Sequence, residues 1–301
     1  MMEVELRHSD QRAVVVQTGA TLRAYSAAGR ELLDGFGAGE ISSSGRGQAL
    51  IPWPNRLRDG RYEFAGRQYQ LPLSEPTQHN AIHGLVRWQG WTVAERDQTA
   101  VTMEHMLHPR EGYPFGLSLA LTYALDDGGL SVRLRATNVG DDPCPFGAGA
   151  HPYLTAGTET IDPCTLRAPG AVWMTTDERQ IPTGREPVGG SDKDFREARE
   201  VGATQLDTGY ADLMRDADGL ARVVLTAPDG ETGATLWQDE SYPYLMLFTG
   251  DALPDAGRRR RGLGVEPMTC APNALATGEG LRTLAPGETF EGAWGISPLA
   301  P

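Results

Sequence analysis

Residues 117–137 read LSLALTYALDDGGLSVRLRAT, and apolar side chains occupy every second position on both sides of the central DDGG. From Leu117 to Leu125 the intervening residues are Ser, Ala and Thr, and from Leu130 to Ala136 they are Ser and Arg. A period of two is that of a β-strand with one buried face. Since Asp and Gly tolerate the positive φ of a tight turn, this stretch is predicted to be an antiparallel hairpin.

The same alternation recurs elsewhere in the chain. ARVVLTA (221–227) and ATLWQDE (234–240) flank a Gly-containing turn, and RYEF (61–64) and QYQLPL (68–73) flank another at Ala65-Gly66. Apolar residues never hold helical spacing for a dozen positions, while 37 Gly and 21 Pro interrupt the chain at strand-like intervals. We therefore expect an all-β fold of mostly antiparallel strands with few short helices.

Composition and charge limit the domain organisation and the kind of ligand. No composition shift marks a linker, so residues 1–301 are predicted to form one large β-sandwich domain. With 27 Lys and Arg against 40 Asp and Glu, the formal net charge of −13 opposes nucleic acid and anionic membranes as partners. A neutral small molecule is the expected ligand, and a monomer or homodimer the expected state.

The three cysteines and the N-terminus concern the compartment. Cys144, Cys164 and Cys270 match neither a zinc-binding nor a redox CxxC spacing, which disfavours a disulfide framework. The first residues, MMEVELRHSDQRAVVVQ, lack the basic and apolar segments of a signal peptide. A cytoplasmic location is expected.

Three ionisable residues occupy distinctive local settings. His83 lies in NAIHGLVRWQGW, His151 in GAGAHPYL and Glu266 in GLGVEPMTCAPN. Small residues let a ligand approach closely, and aromatic rings offer a flat face to a sugar. A carboxylate among apolar residues either finds partners or has its pKa raised. Each residue could also be structural: a hydrogen-bonded core histidine, or a glutamate in a buried ion pair with a nearby arginine.

Other chemistries lack their motifs. His83, His151 and Glu266 are plausible metal ligands by type, but no HxH or HExxH spacing exists, so no metal is expected. A GxSxG elbow, a GxxxxGK[ST] loop and a strand-to-helix GxGxxG are absent as well. The RRRR run at 258–261 is interpreted as a solvated surface, with an anion-binding patch as the alternative.

Six segments, taken in order, resemble the signatures of the aldose 1-epimerase, or galactose mutarotase, family over roughly residues 20–298. They are NRLRDGRYEFAGRQYQL (55–71), HNAIHGLVRWQGW (79–91), GAHPYL (149–154), LDTGY (206–210), PYLMLFTGD (243–251) and GVEPMTCAPNA (264–274). The resemblance implies a galactose mutarotase-like β-supersandwich. It also implies an isomerase that interconverts the α and β anomers of a monosaccharide without metal or organic cofactor.

The resemblance assigns roles to individual positions. Glu266 falls where the family has the general base that takes the proton of the anomeric hydroxyl, and His151 where it has the general acid that protonates the ring oxygen. His83 matches the second histidine, which binds the ring end of the sugar.

Three further positions match substrate-binding residues of the family. Arg56, preceded by Asn55, matches the sugar-binding arginine, and Asp207 matches the aspartate that holds sugar hydroxyls, with Asp212 as a less favoured substitute. The alternative for Arg56 is a surface ion pair with Glu63 or Asp59.

Three positions depart from the family pattern. Met246 stands where many members have a glutamine directed at the sugar, and Ala150 and Leu85 stand where the well-characterised mutarotases have asparagine and glycine. The substrate of galactose mutarotase is therefore not carried over to this chain.

Alternative functions remain open. A hexose-6-phosphate 1-epimerase would use Arg87 or the RRRR run for the phosphate. A carbohydrate-binding or sugar-sensing domain would keep the sandwich without turnover. A polysaccharide lyase or glycosidase is disfavoured because paired catalytic carboxylates are not evident in the motifs.

Overall fold

The computed structural model describes residues 2–299, and strands dominate this part of the chain. The first strands are β1 (Glu3–His8), β2 (Gln11–Val16), β3 (Thr21–Ala27), β4 (Arg30–Glu31), β5 (Ala49–Leu50), β6 (Arg56–Arg58), β7 (Arg61–Phe64), β8 (Arg67–Gln70) and β9 (Asn80–Ile82). The middle strands are β10 (Thr92–Arg96), β11 (Ala100–Leu107), β12 (Leu117–Asp126), β13 (Gly129–Asn138), β14 (Cys144–Phe146), β15 (Gly149–Ala150), β16 (Tyr153–Leu154), β17 (Thr165–Arg167) and β18 (Gly170–Thr176). The last strands are β19 (Pro182–Pro187), β20 (Arg199–Glu200), β21 (Asp207–Leu213), β22 (Ala221–Thr226), β23 (Gly233–Gln238), β24 (Tyr244–Phe248), β25 (Leu263–Met268), β26 (Arg282–Leu284) and β27 (Thr289–Pro298).

Helical structure in the described residues is short, as predicted. It consists of the four-residue helix α1 (Ala274–Thr277) and the 3-10 turns Pro76–Gln78 and Ala256–Arg258. No helix in this part of the chain has the length and apolar character needed to cross a membrane.

Two large sheets form the sandwich. One has nine strands in the order β10-β11-β12-β13-β27-β23-β22-β17-β20. The other has eight, in the order β19-β18-β21-β24-β25-β15-β5, with β16 paired to β25. The paired strands of both sheets run antiparallel.

The predicted hairpins are confirmed. β12 and β13 pair in continuous register from Leu117 opposite Asn138 to Asp126 opposite Gly129. The β22–β23 and β7–β8 pairs are the other two. Along β12 the buried and partly exposed side chains alternate, so the period of two in the sequence reports a sheet with one covered face.

The core lies between the sheets. One apolar cluster joins side chains of the nine-stranded sheet, such as Leu121 and Leu134, to those of the eight-stranded sheet, such as Leu245 and Val265. This continuity agrees with the single domain expected for residues 1–301, which stays a prediction.

The eight-stranded sheet carries the predicted site residues. All six residues of β25 are buried, so both of its faces are covered. Glu266 lies opposite Met246, which lies opposite Gly209 on the next strand. Two residues before Gly209 on β21, and therefore on the same face, Asp207 lies opposite Phe248. Residues directly opposite in an antiparallel pair share a face, so the register places Glu266 and Asp207 on the same side of the sheet.

The irregular segment 35–48 covers this face. Its residues Ser44 and Gly45 line the cleft described below. The segment is fixed to the sheet by backbone hydrogen bonds from the Gly47 amide to the His151 carbonyl and from the His151 amide to the Gln48 carbonyl.

Candidate active site

A cleft of about 550 Å³ opens on the eight-stranded sheet, and it brings all six predicted site residues together. Its wall includes Asn55, Arg56, His83, His151, Asp207 and Glu266. They come from a turn, from β6, β21 and β25, and from the segments that follow β9 and β15. These residues are far apart in the sequence. The sheet register and the loops bring them into one compact polar arrangement.

Glu266 and His151 lie in direct contact at the bottom of the cleft. Nε2 of His151 is 3.3 Å from Oε1 of Glu266, and both side chains are buried. Within residues 2–299, neither Oε2 of Glu266 nor Nδ1 of His151 has a hydrogen-bond partner. Buried polar atoms are normally paired, so these two atoms keep unused hydrogen-bonding capacity. The alternative of an arginine ion pair for Glu266 is wrong for the described residues.

Burial changes the proton affinity of both groups. Desolvation, reinforced by the charge of Asp207, raises the pKa of Glu266 to about 8. Desolvation, reinforced by the positive charges of Arg87, Arg46 and Arg56, lowers the pKa of His151 to about 3. Each shift disfavours an isolated charge in the site. At neutral pH the pair holds one titratable proton in addition to the N–H of the neutral imidazole. This proton lies on Glu266 or is shared with His151.

His83 is oriented by the backbone. The amide of Asn55 donates a hydrogen bond of 3.2 Å to Nδ1 of His83, so the neutral imidazole carries its proton on Nε2. Both residues have positive φ, 55° and 62°, which shows that the turn is shaped to make this contact. The rings of His83 and His151 meet edge to face at 5.4 Å. Burial and the nearby charge of His151 lower the pKa of His83 well below its usual value.

Contacts with Tyr153 and Gly45 fix the position of the His151 ring. The ring stacks on Tyr153 at 4.9 Å with an interplanar angle of 9°, and Cζ of Arg46 lies 4.3 Å from the centroid of the tyrosine ring. The Tyr153 hydroxyl donates to the Ser44 carbonyl at 2.9 Å. Gly45 has φ of +78°, and a Cβ there would lie 2.5 Å from Cδ2 of His151. This position therefore requires glycine.

Arg56 is anchored inside the cleft. Its Nε lies 3.0 Å from Glu75 Oε2, and its Nη1 lies 3.5 Å from Asp207 Oδ2. The predicted alternative, a surface pair with Glu63 or Asp59, is wrong: Asp59 binds His79 and Arg179, and Glu63 accepts from Gln68.

Asp207 faces the cleft, whereas its proposed substitute does not. Burial raises the pKa of Asp207, and the positive charge of Arg56 partly offsets this rise. Asp212 is exposed at the other end of the same strand, with φ of 51°, and is not part of the wall. Tyr210 points elsewhere as well, since its hydroxyl donates to the Lys193 carbonyl.

Several wall residues were not predicted. Glu75, Phe248 and Leu253 also line the cleft. Phe248 shares the alternation of β24 with Met246 and could have been found from it, but nothing local in the sequence marks Glu75. Its role depends on an ion pair across 19 residues of chain.

The RRRR run lies away from this cleft. Arg258 and Arg261 line a second cleft of about 610 Å³ that shares no wall residue with the first. Arg258 pairs with Asp34 at 2.9 Å, and Arg260 pairs with Asp251 at 2.8 Å. The interpretation of the run as a solvated surface is therefore wrong for these two side chains, which make ion pairs that hold loops together.

The residue at the usual glutamine position is confirmed as apolar and close. Met246 lies directly opposite Glu266 and is buried. Met246 is not part of the cleft wall, and a thioether is only a weak acceptor, so this position does not supply the hydrogen bond of a glutamine.

The same centre has a donor set that could hold a metal. One ligand atom from each of His83, His151 and Glu266 lies within 4.8 Å of the others. Two imidazoles and a carboxylate suit zinc or another divalent ion by type. However, Nδ1 of His83 is taken by the Asn55 amide. The expectation that no metal is bound stays a prediction.

The fold and cleft define a class: an antiparallel supersandwich with a polar cleft on one sheet. The structure is similar to that of a GalM/aldose epimerase homologue from Caenorhabditis elegans, with a TM-score of 0.85, 19% identity and 98% of both chains covered. It is also similar to galactose 1-epimerase from Lactobacillus acidophilus NCFM, with a TM-score of 0.81, 22% identity and 98% and 94% covered. The predicted galactose mutarotase-like fold is confirmed.

The chain belongs to the aldose 1-epimerase family, whose sequence profile matches residues 2–297. YihR of Escherichia coli K12, a protein described as uncharacterized, is 34% identical over 95% of this chain and 89% of its own length. Galactose mutarotase of Rattus norvegicus is 31% identical over 49% of this chain and 44% of its own.

Proposed function

We propose that this protein is an aldose 1-epimerase, which interconverts the α and β anomers of a monosaccharide. The observation that carries the proposal is the buried pair of Glu266 and His151, each with an unpartnered polar atom, at the bottom of a polar cleft. Membership of the aldose 1-epimerase family supports the same reaction. The name of one relative, galactose mutarotase, refers to a reaction of this kind.

The pair suits the opening of a cyclic hemiacetal. One proton must leave the anomeric hydroxyl O1 while another reaches the ring oxygen O5, because only then does the C1–O5 bond break to give an aldehyde and a C5 hydroxyl. In the proposed mechanism Glu266 accepts the first proton and His151 donates the second. Rotation about C1–C2 presents the other face of the aldehyde, and both transfers then run in reverse. The protein ends in its starting protonation state.

The single proton on the pair fits this cycle. Moving it from Glu266 to His151 creates the carboxylate base and the imidazolium acid together, without changing the net charge of a buried site. Glu266 and His151 are 3.3 Å apart, so the move is short. A sugar hydroxyl bound to the free Oε2 of Glu266 would stabilise the ionised form.

The remaining wall residues can hold the sugar. Arg56, kept rigid by Glu75, and Asp207 beside it offer donors and an acceptor to ring hydroxyls. His83, with its proton on Nε2, offers one more donor near the ring oxygen. Phe248 provides an apolar face on which a sugar ring can pack.

The test follows the approach to anomeric equilibrium by polarimetry, with and without protein, for freshly dissolved α-anomers. The wild-type protein is expected to accelerate it for at least one aldose, and Glu266→Gln and His151→Asn are expected to return the rate to the spontaneous one. Arg133→Gln, on the outer face of β13, is the control and should keep the wild-type rate.

A carbohydrate-binding domain gives a different result. It would bind a sugar in calorimetry while leaving the spontaneous rate of every aldose, acid sugar and sugar phosphate unchanged. That outcome would exclude the epimerase and leave binding as the function of the cleft.

A further inference from the structure

The second cleft, of about 610 Å³, lies apart from the candidate active site and is strongly basic. Five arginines but only two carboxylates, Glu31 and Asp34, line it, in a chain whose formal net charge is −13. The arginines are Arg12, Arg23, Arg30, Arg258 and Arg261. Small-molecule sites typically measure about 300–1,000 Å³. A concave basic surface of this size in an acidic protein is typical of an anion-binding site.

Three of these arginines converge on residues 34–36. Nη1 of Arg258 donates to Oδ1 of Asp34 at 2.9 Å and to the carbonyl of the following residue at 2.7 Å. Nη1 of Arg23 donates to the next carbonyl along the chain at 3.1 Å. Nε of Arg261 lies 3.9 Å from the same oxygen of Asp34. Guanidinium groups from distant parts of the sequence therefore meet at one place in the cleft wall.

The carboxylates at this place do not match the guanidinium groups in number. Asp34 accepts from both Arg46 and Arg258. Arg261 lies 3.9 Å from this same, already occupied carboxylate. Arg30 forms no ion pair in the described part of the chain, and its Nη1 donates to a threonine hydroxyl at 3.0 Å. A network that only joined loops would give each guanidinium its own acceptor, so the surplus positive charge favours the binding of an anion.

Several donors around the cleft remain unused within residues 2–299. The guanidinium of Arg261 makes no hydrogen bond there, and Nη2 of Arg258 lies 3.9 Å from Glu40, too far for one. The hydroxyl of Thr155, a wall residue that is 8% exposed, accepts from the Gly157 amide at 3.3 Å and donates to no group in those residues. Buried polar groups normally have partners, so this donor set can accommodate the oxygens of a ligand.

The arrangement of donors suits a tetrahedral oxyanion. A phosphate monoester carries a charge of roughly −1.5 to −2 at neutral pH and has three acceptor oxygens, so it can contact guanidinium groups that approach from different directions. A carboxylate offers two oxygens in one plane and fewer contacts. Leu33 and Phe36 also line the cleft and present apolar surface to the remainder of a small molecule.

We propose that the second cleft binds a phosphorylated small molecule, whose phosphate group is held by Arg258 and Arg261 with the charge of Arg30 nearby in the wall. This assigns the anion-binding alternative to the RRRR run. The guanidinium fork pairs well with phosphate oxygens. Because the two clefts share no wall residue, the proposal does not depend on the epimerase function.

The experiment measures binding to the full-length wild-type protein by isothermal titration calorimetry at about pH 7.5. The probes are inorganic phosphate, glycerol 3-phosphate and acetate, all at one ionic strength so that general screening is equal. Inorganic phosphate is expected to bind once per chain with a Kd of about 1 mM or below. Glycerol 3-phosphate should bind at least as tightly, because the cleft has room for the ester group, and acetate should not bind measurably.

Arg261→Gln supplies the selective readout. It should weaken phosphate binding by about tenfold or more while leaving urea unfolding unchanged, since this half-exposed side chain makes no hydrogen bond within residues 2–299. Arg133→Gln removes the same charge from the outer face of β13 and should keep the wild-type Kd. Arg87→Gln, in the wall of the candidate active site, should keep it as well.

Five results would overturn the inference. They are no binding of phosphate, equally tight binding of acetate, and equal weakening by Arg261→Gln and Arg133→Gln. The fourth is loss of binding in Arg87→Gln, which would place the phosphate in the other cleft. The fifth is weaker binding of glycerol 3-phosphate than of inorganic phosphate, which would limit the site to a free ion. The polarimetric test of anomer exchange is independent of all five.

Discussion

Asp34 and Glu266 are both buried carboxylates, and the protein treats them in opposite ways. Asp34 receives Nε and Nη2 of Arg46 on one oxygen, at 3.1 and 3.0 Å, and Nη1 of Arg258 on the other, at 2.9 Å. Glu266 is more deeply buried, yet it contacts only His151, and its Oε2 has no partner in residues 2–299. One carboxylate is fully satisfied by the protein, and the other is not.

The difference separates structural from reactive charge. Asp34 joins the loop 35–48 to the RRRR run, and its partners offset the cost of burial. No such partners offset the cost of burying the charge of Glu266 in the described residues, and this cost raises its pKa. Burial of an acid is therefore a poor marker of function by itself. An unsatisfied oxygen facing a cleft is the stronger one.

Replacing Glu266 should affect activity and spare the fold. Glu266→Gln is expected to lower kcat/KM for anomer exchange by about 10³-fold, because the amide cannot accept the O1 proton. The free energy of unfolding at about pH 8.5 should equal or exceed that of the wild type, since the amide cannot ionise in a buried site. Polarimetry and urea unfolding measure the two quantities. Unfolding at a lower urea concentration would make Glu266 a structural partner like Asp34.

Replacing Asp34 should lower stability and largely spare activity. Asp34→Asn leaves Arg46 buried beside a neutral amide, and we expect the free energy of unfolding to fall by about 3–5 kcal/mol. Well below the unfolding temperature, activity should fall by less than about tenfold, because Asp34 does not line the cleft and Arg46 contacts Tyr153 rather than the reacting pair. Asp218→Asn, which breaks an exposed pair with Arg222, is the control and should leave the free energy of unfolding nearly unchanged. Equal losses in both variants would remove the distinction between the pairs.

A methyl group at Gly45 should disturb the reactive side alone. Gly45→Ala places a Cβ 2.5 Å from Cδ2 of His151, and displacing the acid should lower kcat by about tenfold to a hundredfold. Gly39→Ala, in the same loop with φ of +81° and no atom within 4 Å of its Cβ, reproduces the backbone strain without the contact. If both variants lose equal activity, loop strain rather than the position of His151 explains the effect.

The fold was largely predictable because its signal is local. In β12 and β13 the alternation, the DDGG turn and the register all follow from adjacent residues. The eight-stranded sheet was harder to predict from pattern alone. In β25 both faces are buried, so LGVEPM shows no alternation and its place between β24, β15 and β16 depends on distant strands.

The sequence predicted which residues lie together, whose roles stay a prediction, but it did not predict their contacts. Family resemblance selected six residues, and all six line one cleft. The partners of these residues could not be predicted, since Glu75 for Arg56 and Tyr153 for His151 become visible only when loops pack on the sheet. The RRRR run shows the same limit. The charge of this loop predicted a solvent-exposed segment, but Asp34 and Asp251 form ion pairs with two of its arginines.

The pH dependence should follow the unsatisfied pair. The pair holds one proton between the pKa of His151, about 3, and that of Glu266, about 8. Above about pH 8 this proton is lost, so log kcat/KM is expected to fall by about one for each further pH unit. Enzyme-dependent exchange is measured after subtraction of the buffer-catalysed rate. Asp34→Asn should keep the wild-type profile, and activity that rises through pH 8 would contradict a proton-sharing pair.

Removing metal ions should have the smallest effect, namely none. His83, His151 and Glu266 could bind a divalent ion by distance alone. However, Arg87 and Arg56 already disfavour positive charge at both histidines, and a dication would meet the same opposition. Protein dialysed against EDTA and checked for metal by mass spectrometry is therefore expected to keep its full rate. Loss of activity that zinc restores would instead show that the oxygen left free on Glu266 is a metal ligand, and the contrast with Asp34 would then be between two kinds of bound cation.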